Sequence, residues 1–124
     1  MSPVVDLAAV IVDCAESESD AMAAFYLAAC GGEVIRSDAD SAWLRVGGVT
    51  VIFREVEAYQ PPSWPGADVP MQVHLDFNVD DMEQAEARLK DLGATTPEYQ
   101  AHRSDGLVVM LDPAGHPFCI GTRV

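Results

Sequence analysis

The stretch Gln72-Val-His-Leu-Asp-Phe-Asn-Val-Asp-Asp81 reads as a strand running into a helix. Val73, Leu75, Phe77 and Val79 alternate with Gln72, His74, Asp76 and Asn78, so one face is apolar and the other polar. The apolar face is expected to pack against helices. Four hydrogen-bonding side chains in a row suit either open solvent or the wall of a wet ligand cavity, and the rest of the chain has to choose between them.

Downstream, Met82, Ala85, Leu89 and Leu92 form a helical stripe, with Asp80 and Glu83 as a capping pair, Asp81 as a second cap candidate, Arg88 and Lys90 at the negative end and Gly93 as the stop. Three strands are expected to follow: Thr95–His102, which contains Pro97; Leu107–Leu111; and Phe118–Arg123, joined to the second by the turn Asp112-Pro-Ala-Gly-His-Pro117. Upstream, Ala58–Pro70 contains Pro61, Pro62, Pro65 and Pro70 and reads as a stiff linker carrying Trp64. Before it the pattern is the same: a strand at Asp6–Cys14 buried on most of both faces, capping side chains at Ser17–Asp20, and a helix with the stripe Met22, Phe25, Tyr26, Ala29 ended by Gly31-Gly32. Strands at Glu33–Ser37, Ser41–Val46 and Val49–Val56 complete the first half. One unit is thus written twice, as a module at 1–57, a linker at 58–70 and a module at 71–124 within a single domain. The expected fold class is α+β, two βαβββ modules forming a concave mixed sheet with helices outside and the polar row of Gln72–Asn78 lining the concavity.

Composition narrows the function. Twenty acids against seven bases give a net charge of −13, which argues against nucleic acid, whose phosphates demand clustered Lys and Arg. No apolar run approaches the roughly 20 residues of a membrane span, so a cytoplasmic protein with no membrane partner is expected. Cys14, Cys30 and Cys119 are too few and too widely spaced for a disulfide framework or a zinc motif.

Paired modules of this kind, with His74 seven residues before Asp81 and an Asp112-Pro-x-Gly-x-Pro turn in the last hairpin, resemble the vicinal oxygen chelate superfamily. Phe53-Arg54, Pro62-Ser-Trp-Pro65, His74-Leu-Asp76 and Gly115-His-Pro-Phe-Cys119 look like its bacterial glyoxalase-like subgroup (glyoxalase/bleomycin resistance/dioxygenase). The resemblance implies that metal-dependent members draw ligands from the first and last strand of each module. Internal alignment places those positions on Ala9, Ile52, His74 and Cys119. Alanine and isoleucine offer no donor, so neither a metal nor any other cofactor is expected there.

His74 is the candidate catalytic residue, an imidazole suited to proton transfer, with a cavity histidine held by Asp76 as the plainer reading. Strand parity puts Thr50, Ile52 and Arg54 on one face, and Trp43 with Arg45 opposite Leu44 and Val46, so Arg45 and Arg54 suit a carboxylate and Trp43 a planar group. Trp64, Asp76 and Cys119 complete the ligand-binding candidates; a plug is the plainer role for Trp64, a small buried hydrophobe for Cys119, and a pair with a surface acid for each arginine. Two functions follow: a binding protein that sequesters a cationic or planar small molecule, or a metal-independent lyase or isomerase using His74 on a small carbonyl or carboxylate. A scaffold without small-molecule chemistry is a third. A homodimer is expected from the open sheet edges that such modules leave.

Overall fold

The computed structural model describes residues 2–122, and the chain divides between Glu57 and Ala58 into two compact units. The first runs β1 (Val10–Cys14), α1 (Ser19–Cys30), β2 (Glu33–Ser37), β3 (Ser41–Val46) and β4 (Val49–Glu55), which is the βαβββ order read from the sequence. Its sheet has the strand order β1-β4-β3-β2, with β1 parallel to β4 and the other pairs antiparallel. One face packs on α1: Met22, Ala23, Phe25 and Tyr26 are buried, and Tyr26 stacks on Phe53 with ring centroids 5.4 Å apart. Burial of each such aromatic or aliphatic side chain is worth about 1.5–3 kcal/mol.

Three local expectations for this unit change. β1 begins at Val10 and alternates in burial, with Ile11 51% exposed, because only one of its faces meets the helix. Ala29 is exposed, so the α1 stripe ends a turn early. The helix start is held by no side chain from Ser17–Asp20; Glu55, at the end of β4, accepts from the Ser19 amide at 3.2 Å and the Ser19 hydroxyl at 2.6 Å. A carboxylate there satisfies donors that lack an intrahelical partner, and these bonds hold the Glu55 carboxyl below the ordinary glutamate range, the Ser19 hydroxyl contributing most. Past the helix, a Cβ on Gly32 would collide with the Arg45 carbonyl, and its φ of +101° disfavours other residues, so the return into β2 requires glycine there.

The second unit runs β5 (Leu75–Val79), α2 (Met82–Asp91), a short 3-10 turn (Arg103–Asp105), β6 (Leu107–Leu111) and β7 (Pro117–Thr122). Its sheet has the order β5-β7-β6, with β5 parallel to β7. β5 begins at Leu75, leaving Val73, expected on the packed face, 65% exposed ahead of it; from there the alternation holds, with Leu75, Phe77 and Val79 half-buried against exposed Asp76 and Asn78, and Phe77 meets Phe118 edge to face at 5.9 Å. The cap of α2 is Asp81, which accepts from the Gln84 amide at 3.0 Å, rather than the Asp80–Glu83 pair. The candidate strand Thr95–His102 shrinks to one bridge, Thr95 to Leu111. Pro97 removes a ladder donor, and the Gln100 side chain takes over the pairing: its amide nitrogen donates to the Val109 carbonyl at 2.7 Å and its oxygen accepts from the Val109 amide at 2.9 Å. The expected end of β7 at Arg123 lies outside the described residues. The Asp112 turn is structural as read: buried Asp112 accepts from the amides of Ala114 and His116, each at 3.0 Å.

Candidate functional site

The parallel β5–β7 ladder pairs Asp76 with Cys119. His74, two residues before Asp76, stands just ahead of β5 rather than in mid-strand, and period-two parity keeps it on the same side of the chain. One donor atom each from His74, Asp76 and Cys119 can be chosen so that all lie within 4.8 Å of one another. His74 Nε2 is 3.0 Å from Asp76 Oδ1; the imidazole is 38% exposed and the carboxylate 66%. Cys119 is buried. Its thiol is pushed up to about 11, first by burial, then by the charge of Asp76 and by a hydrogen bond to that carboxylate. At neutral pH it is a thiol and lacks the thiolate character a nucleophile needs.

The other candidates fall into separate neighbourhoods. On the first sheet, Trp43 pairs with Ile52, Arg45 with Thr50 and Ser41 with Arg54, so Trp43, Arg45 and Arg54 share the face away from α1 as parity required. That face is partly satisfied from within. The Arg36 guanidinium lies 4.9 Å from the Trp43 ring centroid, the indole N–H donates to Ser41 Oγ at 3.2 Å, and Arg54 pairs with Asp13 at 3.2 Å. Arg45 is exposed and has no ion pair among the described residues. Trp64 rests against Tyr99, centroids 6.5 Å apart, with its indole N–H buried and without an acceptor among the described residues. His102 contacts Asp105 at 3.3 Å, and His116 contacts the Pro117 carbonyl at 2.8 Å, so neither belongs to the His74 cluster.

Sequence reading missed Arg36 and Asp13. A register shift between Val34 and Arg36 breaks the period-two count that would have aligned Arg36 with Trp43. Asp13 had a signal, as the one acid in the apolar run before Cys14, but its partner Arg54 is assigned only by the β1–β4 register.

The register also tests the inherited metal positions. Ile11 pairs with Ile52 in the first unit as Asp76 pairs with Cys119 in the second, which makes Ala9 the counterpart of His74. Two of the four inherited positions therefore offer no donor, and the set does not fit a hard octahedral ion, which wants several oxygen and imidazole ligands.

A βαβββ unit followed by a shortened copy of itself, each with a parallel pair between its first and last strands, defines a two-module α+β class. The chain belongs to the glyoxalase-like domain family, whose family model matches residues 9–121. Its two mixed sheets, of four and three strands with two helices, are the glyoxalase/bleomycin resistance fold seen in solved structures. It is similar to a mutant of the fosfomycin resistance protein FosX of Listeria monocytogenes, crystallised with Mn(II) and 1S,2S-dihydroxypropylphosphonic acid, at 16% identity and TM-score 0.70 over 98% of this chain and 93% of that one. FosX of Mesorhizobium loti matches at 14% and 0.68 over 98% and 94%, and a glyoxalase family protein of Enterococcus faecalis at 20% and 0.67 over 94% and 96%. No curated protein matches the chain in sequence. Among the described residues no helix is long and apolar enough to cross a membrane.

Proposed function

We propose that this chain is a glyoxalase-like enzyme of the lyase or isomerase type, in which His74 moves a proton on a small carbonyl or carboxylate substrate and Asp76 orients the imidazole. The observation that supports this is the 3.0 Å contact between His74 Nε2 and Asp76 Oδ1. We assign the proton to Nε2, the nitrogen beside the carboxylate charge; the lone pair then resides on Nδ1, which has no partner among the described residues and can accept a proton from a carbon beside a carbonyl. The developing imidazolium is stabilised by the adjacent carboxylate, whose charge it meets at hydrogen-bond distance. No step requires a metal ion. Cys119 lies across the parallel ladder from Asp76 and lines the buried side of the pair.

A panel of small 2-oxo acids, 2-oxo aldehydes and hydroxy ketones, incubated with the protein in D2O, tests the reading by NMR. Exchange of a C–H beside the carbonyl is expected for at least one compound and is expected to vanish with His74→Ala. Uniform failure across the panel, or exchange unaltered in the variant, sinks it.

Sequestration of a flat cation is the second reading, and one observation favours it: the Trp43 ring already carries a flat cation, the Arg36 guanidinium. A ligand of that chemistry has to displace Arg36, which is why the acid–base reading is preferred. A homodimer belongs to the proposal as well. The edge strand β2 is exposed along its whole length, with Val34 45% and Ile35 39% exposed, an edge suited to pairing with a second copy. Light scattering is expected to give twice the chain mass; the mass of a single chain at micromolar concentration overturns it.

A further inference from the structure

We infer that His74, Asp76 and Cys119 form a binding site for one thiophilic divalent cation of the zinc type, built wholly within the second module. This differs from the inherited arrangement, because Asp76 replaces the donors missing at Ala9 and Ile52. One nitrogen, one oxygen and one sulfur are the mixed donor set that borderline ions such as Zn(II) accept, and three protein ligands leave a fourth tetrahedral position open. Bonds of about 2.0–2.3 Å place tetrahedral donors about 3.3–3.8 Å apart. The three donor atoms already lie within 4.8 Å of one another, and His74 and Asp76 are in contact at 3.0 Å, so side-chain torsions suffice to close the set. The exposed imidazole and carboxylate give an ion access from solvent, while buried Cys119 supplies a sulfur fixed by the β7 backbone. On ligation the Cys119 S–H bond breaks, its proton leaves to solvent and the sulfur pair bonds to the ion; no oxidation state changes.

The consequence rests on the acid–base reading: an imidazole bound to the ion through either nitrogen is held away from proton transfer, so zinc acts as a reversible inhibitor. Binding itself does not depend on that reading. Cobalt(II) is the probe for the site, because a thiolate-to-cobalt charge-transfer band reports sulfur ligation directly. The full-length reduced protein is expected to bind one equivalent with that band. Cys119→Ser is expected to abolish the band, Asp76→Asn and His74→Ala to weaken cobalt and zinc binding at least tenfold, and Cys30→Ser, which removes an exposed thiol on α1, to change nothing. Absence of the band in the reduced wild-type protein overturns the site, as does its persistence in Cys119→Ser or its loss in Cys30→Ser. Asp76→Asn changes an exposed side chain, so a failure of Cys119→Ser to fold leaves the Asp76 variant to decide. Zinc inhibition of deuterium exchange, reversed by a chelator, is expected alongside. Cobalt binding with no exchange on any compound fails the acid–base reading and keeps the site; exchange without cobalt binding does the reverse.

Discussion

In the first module Ile11 faces Ile52 across a parallel ladder, and Ala9 stands two residues ahead; in the second, Asp76 faces Cys119 across the equivalent ladder, and His74 stands two ahead. The backbone solution is shared, yet only the second module carries nitrogen, oxygen and sulfur side chains at these positions. The buried face explains why. Phe53 on one side, and Phe118 with Ile120 on the other, lock each ladder against an apolar layer, so the residues on the opposite face can change without moving the register. The sheets differ at their far edges too. The first is completed by the backbone of β2, whereas in the second the Gln100 side chain imitates a strand for one residue.

The largest effect expected is on His74. His74→Ala is predicted to lower the rate of deuterium exchange by about 100- to 10,000-fold, the range of a positioned general base. Ala9→His, which copies the imidazole into the first module without its carboxylate and thiol neighbours, is predicted to add no exchange of its own to a His74→Ala background. Recovery of the rate in that double variant would show that position alone, rather than the trio, makes the site.

Next is the glycine that lets the first module return into β2. Gly32→Ala is predicted to destabilise by about 3 kcal/mol, the upper end of backbone strain, since its Cβ meets a fixed carbonyl. Its counterpart after α2 is Ala94, buried at 5% exposure and with no fourth strand of its sheet to enter among the described residues. Ala94→Gly is predicted to cost about 1–2 kcal/mol, from backbone entropy and the loss of one buried methyl. Urea unfolding of both variants measures the contrast, and equal losses would remove it.

Gln100→Ala is predicted to cost about 1–2 kcal/mol, because Val109 loses two hydrogen bonds on a half-covered edge. Hydrogen exchange at the Val109 amide is expected to accelerate in the variant. On the first sheet, where the edge partner is backbone, Arg36→Ala removes the cation–π contact, worth about 0.5–1 kcal/mol, together with the exposed ion pair to Asp38 at 2.7 Å, which adds little.

The smallest effect concerns acid stability. Glu55 is held below the ordinary glutamate range mainly by Ser19, and Glu86 mainly by Arg103. A carboxylate whose folded pKa is depressed stabilises above its unfolded value, about 4.3, and loses that contribution as pH falls through the folded value. Glu55→Gln and Glu86→Gln are each predicted to flatten the fall of Tm below about pH 4.3 and to lower Tm at neutral pH. An acid limb as steep as that of the wild type in both variants would contradict this.

Much of this was legible before any coordinates. Period-two alternation from Leu75 to Val79 and the helical stripe Met82, Ala85, Leu89, Leu92 located β5 and α2, and the repeat of that pattern fixed the class. Parity also put His74 and Asp76 on the polar side and Trp43, Arg45 and Arg54 together on the first sheet. The pairing of Asp76 with Cys119, 43 positions apart by subtraction of their numbers, was not legible, since parity says which face a residue takes and nothing about what lies across the ladder.

The sequence by itself determined the two-module plan, the strand faces and the poverty of donors at Ala9 and Ile52, because alternation, helical spacing and residue chemistry are local quantities. Only the tertiary structure decided which polar side chains meet: Arg36 on Trp43, Asp13 on Arg54, Glu55 on the start of α1, Gln100 on Val109, and the gathering of His74, Asp76 and Cys119. Each of these depends on strand register, a bulge or a loop path. Those are settled by packing of the whole apolar layer, so no single stretch of residues encodes them.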